Sequence, residues 1–139
     1  MKVILDEQTI QSISFFQKLT GAYVIDSMTD EDTLYFVVDK GQYGMAVGKS
    51  GEKIKKAEAL FKKRIRIFEY ADTVEDFLKN AIPEAKKIAA KDDAVEININ
   101  GHDRPKVIGR NGGKIKILNN LIERLYSKKN IKLLTPMRL

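Results

Sequence analysis

The chain of 139 residues is 43% hydrophobic and 32% charged, contains no cysteine and has a single histidine, His102. That composition belongs to a folded globular protein and excludes disulfides, thiolate metal sites and a histidine-built catalytic or zinc cluster, so neither a metal nor a cofactor is expected. No apolar run of about 18 residues exists and the N-terminus, MKVILDEQTI, soon turns acidic; a membrane span and a secretory signal are not expected, which places the protein in the cytoplasm.

In chain order, the first element expected is a helix with Asp6 as its cap, Ile10, Ile13, Phe16 and Leu19 at every third position, and Gly21 as its terminator. AYVID (22–26) reads as a strand and MTDEDT (28–33) as a polar turn. In LYFVVD (34–39), Leu34, Phe36 and Val38 alternate with Tyr35, Val37 and Asp39, which predicts a strand buried mainly on one face. A short helical turn after KGQYG leads to Gly48. Beyond Gly51, Ile54, Ala57 and Phe61 form a helical stripe, and RIRIF (64–68) closes the half as a strand with Ile65 and Ile67 on one side.

The same order then recurs. Thr73 and Asp76 form a capping pair ahead of Val74, Phe77, Leu78 and Ala81, and Pro83 stops that helix. EAKKIAA (84–90) is a weak strand, KDD a turn, and AVEININ (94–100) a clear strand. Its Val95, Ile97 and Ile99 follow Leu34, Phe36 and Val38 at the offset that separates Gly109 from Gly48. Ile115, Leu118, Ile122 and Leu125 mark a helix after Gly112, and NIKLL supplies the last strand. Two units of about 70 residues sit near the lower limit for independent folding, and the joint EYADT (69–73) is too short and too poor in Gly and Ser to be flexible; a rigid pair is expected.

The recurring motif is G-x-x-G, in VGKSGEKI (47–54) and IGRNGGKI (108–115). GKS suggests an ATP-binding loop, but a P-loop requires glycine where this chain has Tyr43, and the second copy has neither the lysine nor the hydroxyl. The turn suits a different ligand. A first glycine can end the leading helix in a conformation a Cβ resists, a second lets a chain lie close, and the opening N–H groups of the next helix suit a backbone phosphate. Charge follows the motif: residues 49–66 hold eight Lys or Arg against two Glu, and residues 104–132 hold nine against one, within a net charge of +6. Such segregation reads as a polyanion footprint.

On these residues, AVGKSGEKIKKAEAL and VIGRNGGKIKILNNL resemble the signature of KH domains, and two strands before the motif with one after it resemble the type II arrangement, αββααβ. The resemblance covers nearly the whole chain, as KH domain 1 (residues 1–70) and KH domain 2 (residues 71–139), and a pair of this size is similar to the archaeal NusA-like transcription factors. It implies an α+β fold with a three-stranded sheet packed on helices in each half, no catalysis, and binding of single-stranded RNA, either nascent transcript or rRNA, with a role in transcription elongation or termination. RNA polymerase is a further implied partner, although 139 residues leave no room for the polymerase-binding and S1 domains of bacterial NusA. A monomer is expected. A ribosome-associated or RNA-processing adaptor would use the same clamp, and phosphate gripping alone does not separate RNA from single-stranded DNA.

In the KH mode each turn clamps the backbone of about four nucleotides. Carried over by motif, the clamp residues are Gly48, Lys49, Ser50 and Gly51, then Gly109, Arg110, Asn111 and Gly112, with Lys53 and Lys114 reaching adjacent phosphates. Val47, Ile54, Ile108 and Ile115 read as core more than as base contacts, and Met45 and Lys106 are candidate groove lining. Few aromatic residues lie near either motif in the sequence, so ring stacking is not the expected source of affinity. The acidic groups at Asp30, Glu31 and Asp32 and at Asp92 and Asp93 read as turn chemistry.

Overall fold

The computed structural model describes residues 7–135 and divides between Ala71 and Asp72 into two compact units. The first runs α1 (Glu7–Thr20), β1 (Val24–Thr29), β2 (Thr33–Val38), α2 (Tyr43–Val47), α3 (Glu52–Phe61) and β3 (Arg64–Glu69). The second repeats the order with α4 (Val74–Ala81), β4 (Lys87–Lys91), β5 (Ala94–Asn98), α5 (Arg104–Ile108), α6 (Gly113–Tyr126) and β6 (Asn130–Leu134). In each, the strands following one another in sequence are neighbours, the first pair antiparallel and the second parallel. The fold is thus α+β, with two three-stranded sheets and their helices.

The repeat extends to single bonds. Glu58 Oε2 accepts from Ile65 N–H at 3.0 Å, and Asn119 Oδ1, its counterpart at the offset of the two glycine motifs, accepts from Ile131 N–H at 2.8 Å. Each bond ties the helix after the glycine turn to the strand that follows it. Because α6 has 14 residues where α3 has 10, the last strand comes later in the second unit than that offset alone would put it.

Helix α1 ends as expected: Gly21 has φ +80° and its N–H bonds to Gln17 O at 2.8 Å. The expected cap, Asp6, lies outside the described residues. Phe16 is fully buried and stacks on Phe36, ring centroids 4.1 Å apart, with Ile13 and Leu19 packed at the edge of the same core. Ile10, grouped with them by its spacing, is 50% exposed. A period of three falls behind the helix by about 60° per step, so three steps from Leu19 carry Ile10 to the opposite side.

Strand β1 begins two residues later than AYVID predicts. Side chains occupy the backbone there: Ala22 N–H donates to Thr20 Oγ1 and Tyr23 N–H to Gln42 Oε1, at 3.1 and 2.6 Å. The ladder then runs on to Thr29, and the turn shrinks around Asp30, whose carboxylate accepts from the N–H groups of Asp32 and Thr33 and from Tyr35 Oη. Burial, with the negative charge of Asp30 next, pushes the Tyr35 phenol up to about 12, so it remains a neutral donor.

Strand β2 corrects the expectation of one buried face, because Thr33 to Val38 are all buried. Leu34, Phe36 and Val38 join Ala46, Ala57, Ile65 and Ile67 in the core of the first unit. On the opposite face Val37 is fully buried and Tyr35 stacks on Phe68 at 5.8 Å. An apolar set on both alternating sides also fits a two-sided central strand, which periodicity alone cannot separate from a one-sided one.

The second unit keeps its Thr73 cap, with Oγ1 accepting from Asp76 N–H at 3.2 Å, and buries Val74, Phe77, Leu78 and Ala81 as the helical spacing predicts. Strand β4 starts at Lys87 rather than at Glu84. Val95, Ile97 and Ile99 are fully buried, or nearly so, from β5 onward. Helix α6 centres its buried face on Ile117, Leu118, Leu121 and Ile122. Ile115 and Leu125 of the expected stripe sit half-buried at its margin.

Candidate nucleic-acid interface

The two G-x-x-G segments fold into the same turn. Gly48 has φ, ψ of 78°, 171° and Gly109 of 81°, 172°. Ser50 and Asn111 stand at 56°, 27° and 54°, 29°; Gly51 and Gly112 at 73°, 16° and 72°, 13°. Gly48 N–H and Gly109 N–H each close the preceding short helix, on Gly44 O and Pro105 O, at 2.9 Å. The chain then reverses through a turn in which Gly51 N–H returns to Gly48 O and Gly112 N–H to Gly109 O, at 3.2 and 3.1 Å. The clustering of positive-φ positions is why small or αL-tolerant residues recur here.

The turn delivers an open helix end. Gly51 and Gly112 are the N-caps of α3 and α6, and among the described residues no side chain caps either helix. The first-turn N–H groups, at the positive end of the helix dipole, therefore face the turn with no cap bond from the N-cap residue; Glu52 opens α3, whereas the first turn of α6 carries no acidic residue. Lys49, Ser50, Arg110 and Asn111 are exposed on that turn, and space is open where a Cβ would stand on Gly51 or Gly112.

Lys53 is engaged within the fold. Its ammonium donates to Thr20 O at 2.9 Å and Met45 O at 3.1 Å, tying the end of α1 to α2. Its stem passes under the first glycine: a Cβ on Gly48 would lie 2.7 Å from Lys53 Cγ, and one on Gly109 2.7 Å from Lys114 Cβ. Gly48 with Lys53, and Gly109 with Lys114, thus form the same packing unit in both halves. Val47 and Ile54 border the core of the first unit, and Ile108 and Ile115 are half-buried.

In the second unit a carboxylate stands beside the turn. Glu84, after α4, lies 3.1 Å from Lys106 of α5, and its Oε1 is buried without a hydrogen-bond partner among the described residues. Burial opposes its ionisation, but its own backbone N–H, the Lys106 bond and the charge of Lys114 outweigh burial and hold the carboxyl below its ordinary value. A carboxyl depressed by folding stabilises the protein above the unfolded glutamate range, and that contribution is lost as pH falls through the folded value. Lys106→Met is expected to raise the Glu84 titration midpoint in a side-chain NMR titration and to shrink this acid-side loss in thermal melts. Sequence spacing does not bring Glu84 to the motif; its match with Tyr23, at the offset of the two glycine motifs, is the signal the sequence holds.

Residues 11–75 match the family model described as KH domain, a span that takes in the first turn. Over 99% of its length the chain is 35% identical to the probable transcription termination protein NusA of Methanococcus vannielii, covering 83% of that protein. It is 30% identical to the protein of the same name from Halococcus morrhuae, over 96% of this chain and 99% of that one. A crystal structure described as APE1850 is similar with a TM-score of 0.75 and 25% identity, over 94% of this chain and all of that one. The chain belongs to the NusA-like family of archaeal KH-domain proteins. Among the described residues no helix is long and apolar enough to cross a membrane.

Proposed function

We propose that this chain is a noncatalytic transcription factor that binds single-stranded RNA through two tandem type II KH domains, residues 1–70 and 71–139. Gly48, Lys49, Ser50 and Gly51, and Gly109, Arg110, Asn111 and Gly112, grip the sugar-phosphate backbone. The observation that carries the reading is one turn built twice, nearly angle for angle, each time ahead of an uncapped helix and with a cation exposed upon it. Backbone phosphate accepts from the helix N–H groups and pairs with Lys49 or Arg110, while Ser50 and Asn111 donate from the αL position. Lys53 and Lys114 contribute from behind the turn; two of the three Lys53 donors are directed at protein carbonyls, so its part is mainly the field of its charge. It acts in transcription elongation or termination, a reading supported by relatives named for transcription termination, and in this proposal its protein partner is RNA polymerase and its binding form a monomer.

A titration of RNA and DNA oligomers of about eight nucleotides at two or more salt concentrations tests the reading. With about six cations on phosphates, log affinity falls against log salt with a slope near −4, at about 0.7 per contact on a single strand. A slope near zero would remove the electrostatic clamp from consideration. Tighter binding of DNA than of RNA would remove the transcript as ligand.

A further inference from the structure

The two turns share a geometry but have different neighbours. Tyr23 and Met45 of the first unit correspond to Glu84 and Lys106 of the second, at the offset that relates Gly48 to Gly109. The match is structural as well as numerical. Gly21 N–H bonds to Gln17 O as Ile82 N–H bonds to Leu78 O, and Ser27 pairs with Phe36 as Ile88 pairs with Ile97. No residue is gained or lost between those landmarks.

In the second unit the two side chains meet as an ion pair at 3.1 Å, with the Glu84 side chain 14% and that of Lys106 72% exposed. In the first they are an aromatic ring and a thioether, 60% and 47% exposed. Met45 Sδ lies 3.5 Å from where a Gly21 Cβ would stand, and Gln42 fixes Tyr23 N–H. Lys53 links Met45 to the turn, since it bonds Met45 O and runs under Gly48, and its second bond is to Thr20 O, three residues before Tyr23. An apolar lip beside a phosphate-gripping turn matches a ligand that has an apolar face covalently attached to a phosphate, which is the chemistry of a nucleobase. Tyrosine offers a ring for stacking and methionine a polarisable contact that adapts to it.

We propose, building on the backbone-binding reading above, that Tyr23 and Met45 form a base-docking lip particular to the first unit, while the Glu84–Lys106 pair closes the equivalent place in the second. The duplicated protein is then functionally asymmetric: both turns hold backbone, and one lip adds a docked base. Tyr43 serves as a control. It is also exposed, but it stands about 200° around the helix from Met45, and its counterpart Arg104 bonds to Leu133 O and Thr135 Oγ1 beyond β6.

The test titrates an RNA octamer, and a series carrying one abasic nucleotide at each position, against the full chain and its variants, with folding checked by circular dichroism. Tyr23→Ala is expected to weaken intact RNA about tenfold without changing the salt slope. At one position of the series, the penalty that wild type suffers from loss of the base should vanish in Tyr23→Ala. Tyr43→Ala and Glu84→Ala should erase no such penalty. Wild-type affinity for Tyr23→Ala, or abasic and Tyr23 penalties that simply add at every position, overturns the lip. If Glu84→Ala erases a base penalty of its own, the asymmetry is overturned. The backbone reading fails separately, if substitution of Lys49 and Ser50 by Asp leaves binding intact; lost binding there, with Tyr23→Ala unchanged, defeats the lip alone.

Discussion

Substitution of Lys49 and Ser50 together by Asp is expected to lower affinity for single-stranded RNA by at least about a hundredfold while the protein stays folded. The first change replaces a cation with an anion at the place assigned to phosphate, and the second puts another carboxylate there; like charges brought together cost several kcal/mol, and each 1.4 kcal/mol is about tenfold in affinity. The fold has no reason to object. Both side chains are exposed, and Ser50 occupies the αL region at φ 56°, which aspartate tolerates better than most residues. Two carboxylates just ahead of α3 also favour the positive end of its dipole, so thermal stability should hold or rise slightly. Filter or fluorescence titration with a melt alongside separates the two effects. Arg110 and Asn111 to Asp is the companion experiment on the second turn. If both folded variants bind as wild type does, the turns are joints between helices and the RNA site lies elsewhere.

What the sequence disclosed about this site was local, and what it hid depended on distant chain. The spacing of Gly48 and Gly51, the helix cap at Thr73 and the alternation of Val95, Ile97 and Ile99 each depend on a few consecutive residues, so they were readable one segment at a time. The engagement of Lys53 was not. Its partners are carbonyls 33 and 8 residues away in sequence, and they converge only because α1 ends at Gly21 against α2. Tyr23 was hidden for a related reason: it precedes the first turn by a whole hairpin of strands, far outside the motif, so a count of aromatics near GKSG passes over it. The two-sided burial of β2 and the rotated stripe of α6 show the same limit, since periodicity gives an element its direction but leaves the width of its buried face to the neighbours.

The glycines of one turn should respond very unequally to alanine. Gly48 and Gly109 hold φ near +80° with ψ near 172°, a region that residues with a Cβ almost never enter, and strain of that kind costs about 1–3 kcal/mol. Contact adds to it, because the new methyl would approach Lys53 Cγ to 2.7 Å and Lys53 N to 3.0 Å, or Lys114 Cβ and N to 2.7 and 2.8 Å. The lysine stem can move aside, but the backbone nitrogen opens α3 or α6 and cannot shift without displacing the helix. Overpacking of this kind costs about another 1–3 kcal/mol, so each substitution should destabilise its unit by roughly 3 kcal/mol or more. Gly109 should be the worse, since the nearer contacts there are close to the backbone. Gly51→Ala and Gly112→Ala face only an αL conformation, at φ near +72°, in open space. About 1 kcal/mol is expected from each. Denaturant melts of the four variants give the order directly, and equal losses across all four would mean that the lysine stem does not hold the first glycine of each turn in place.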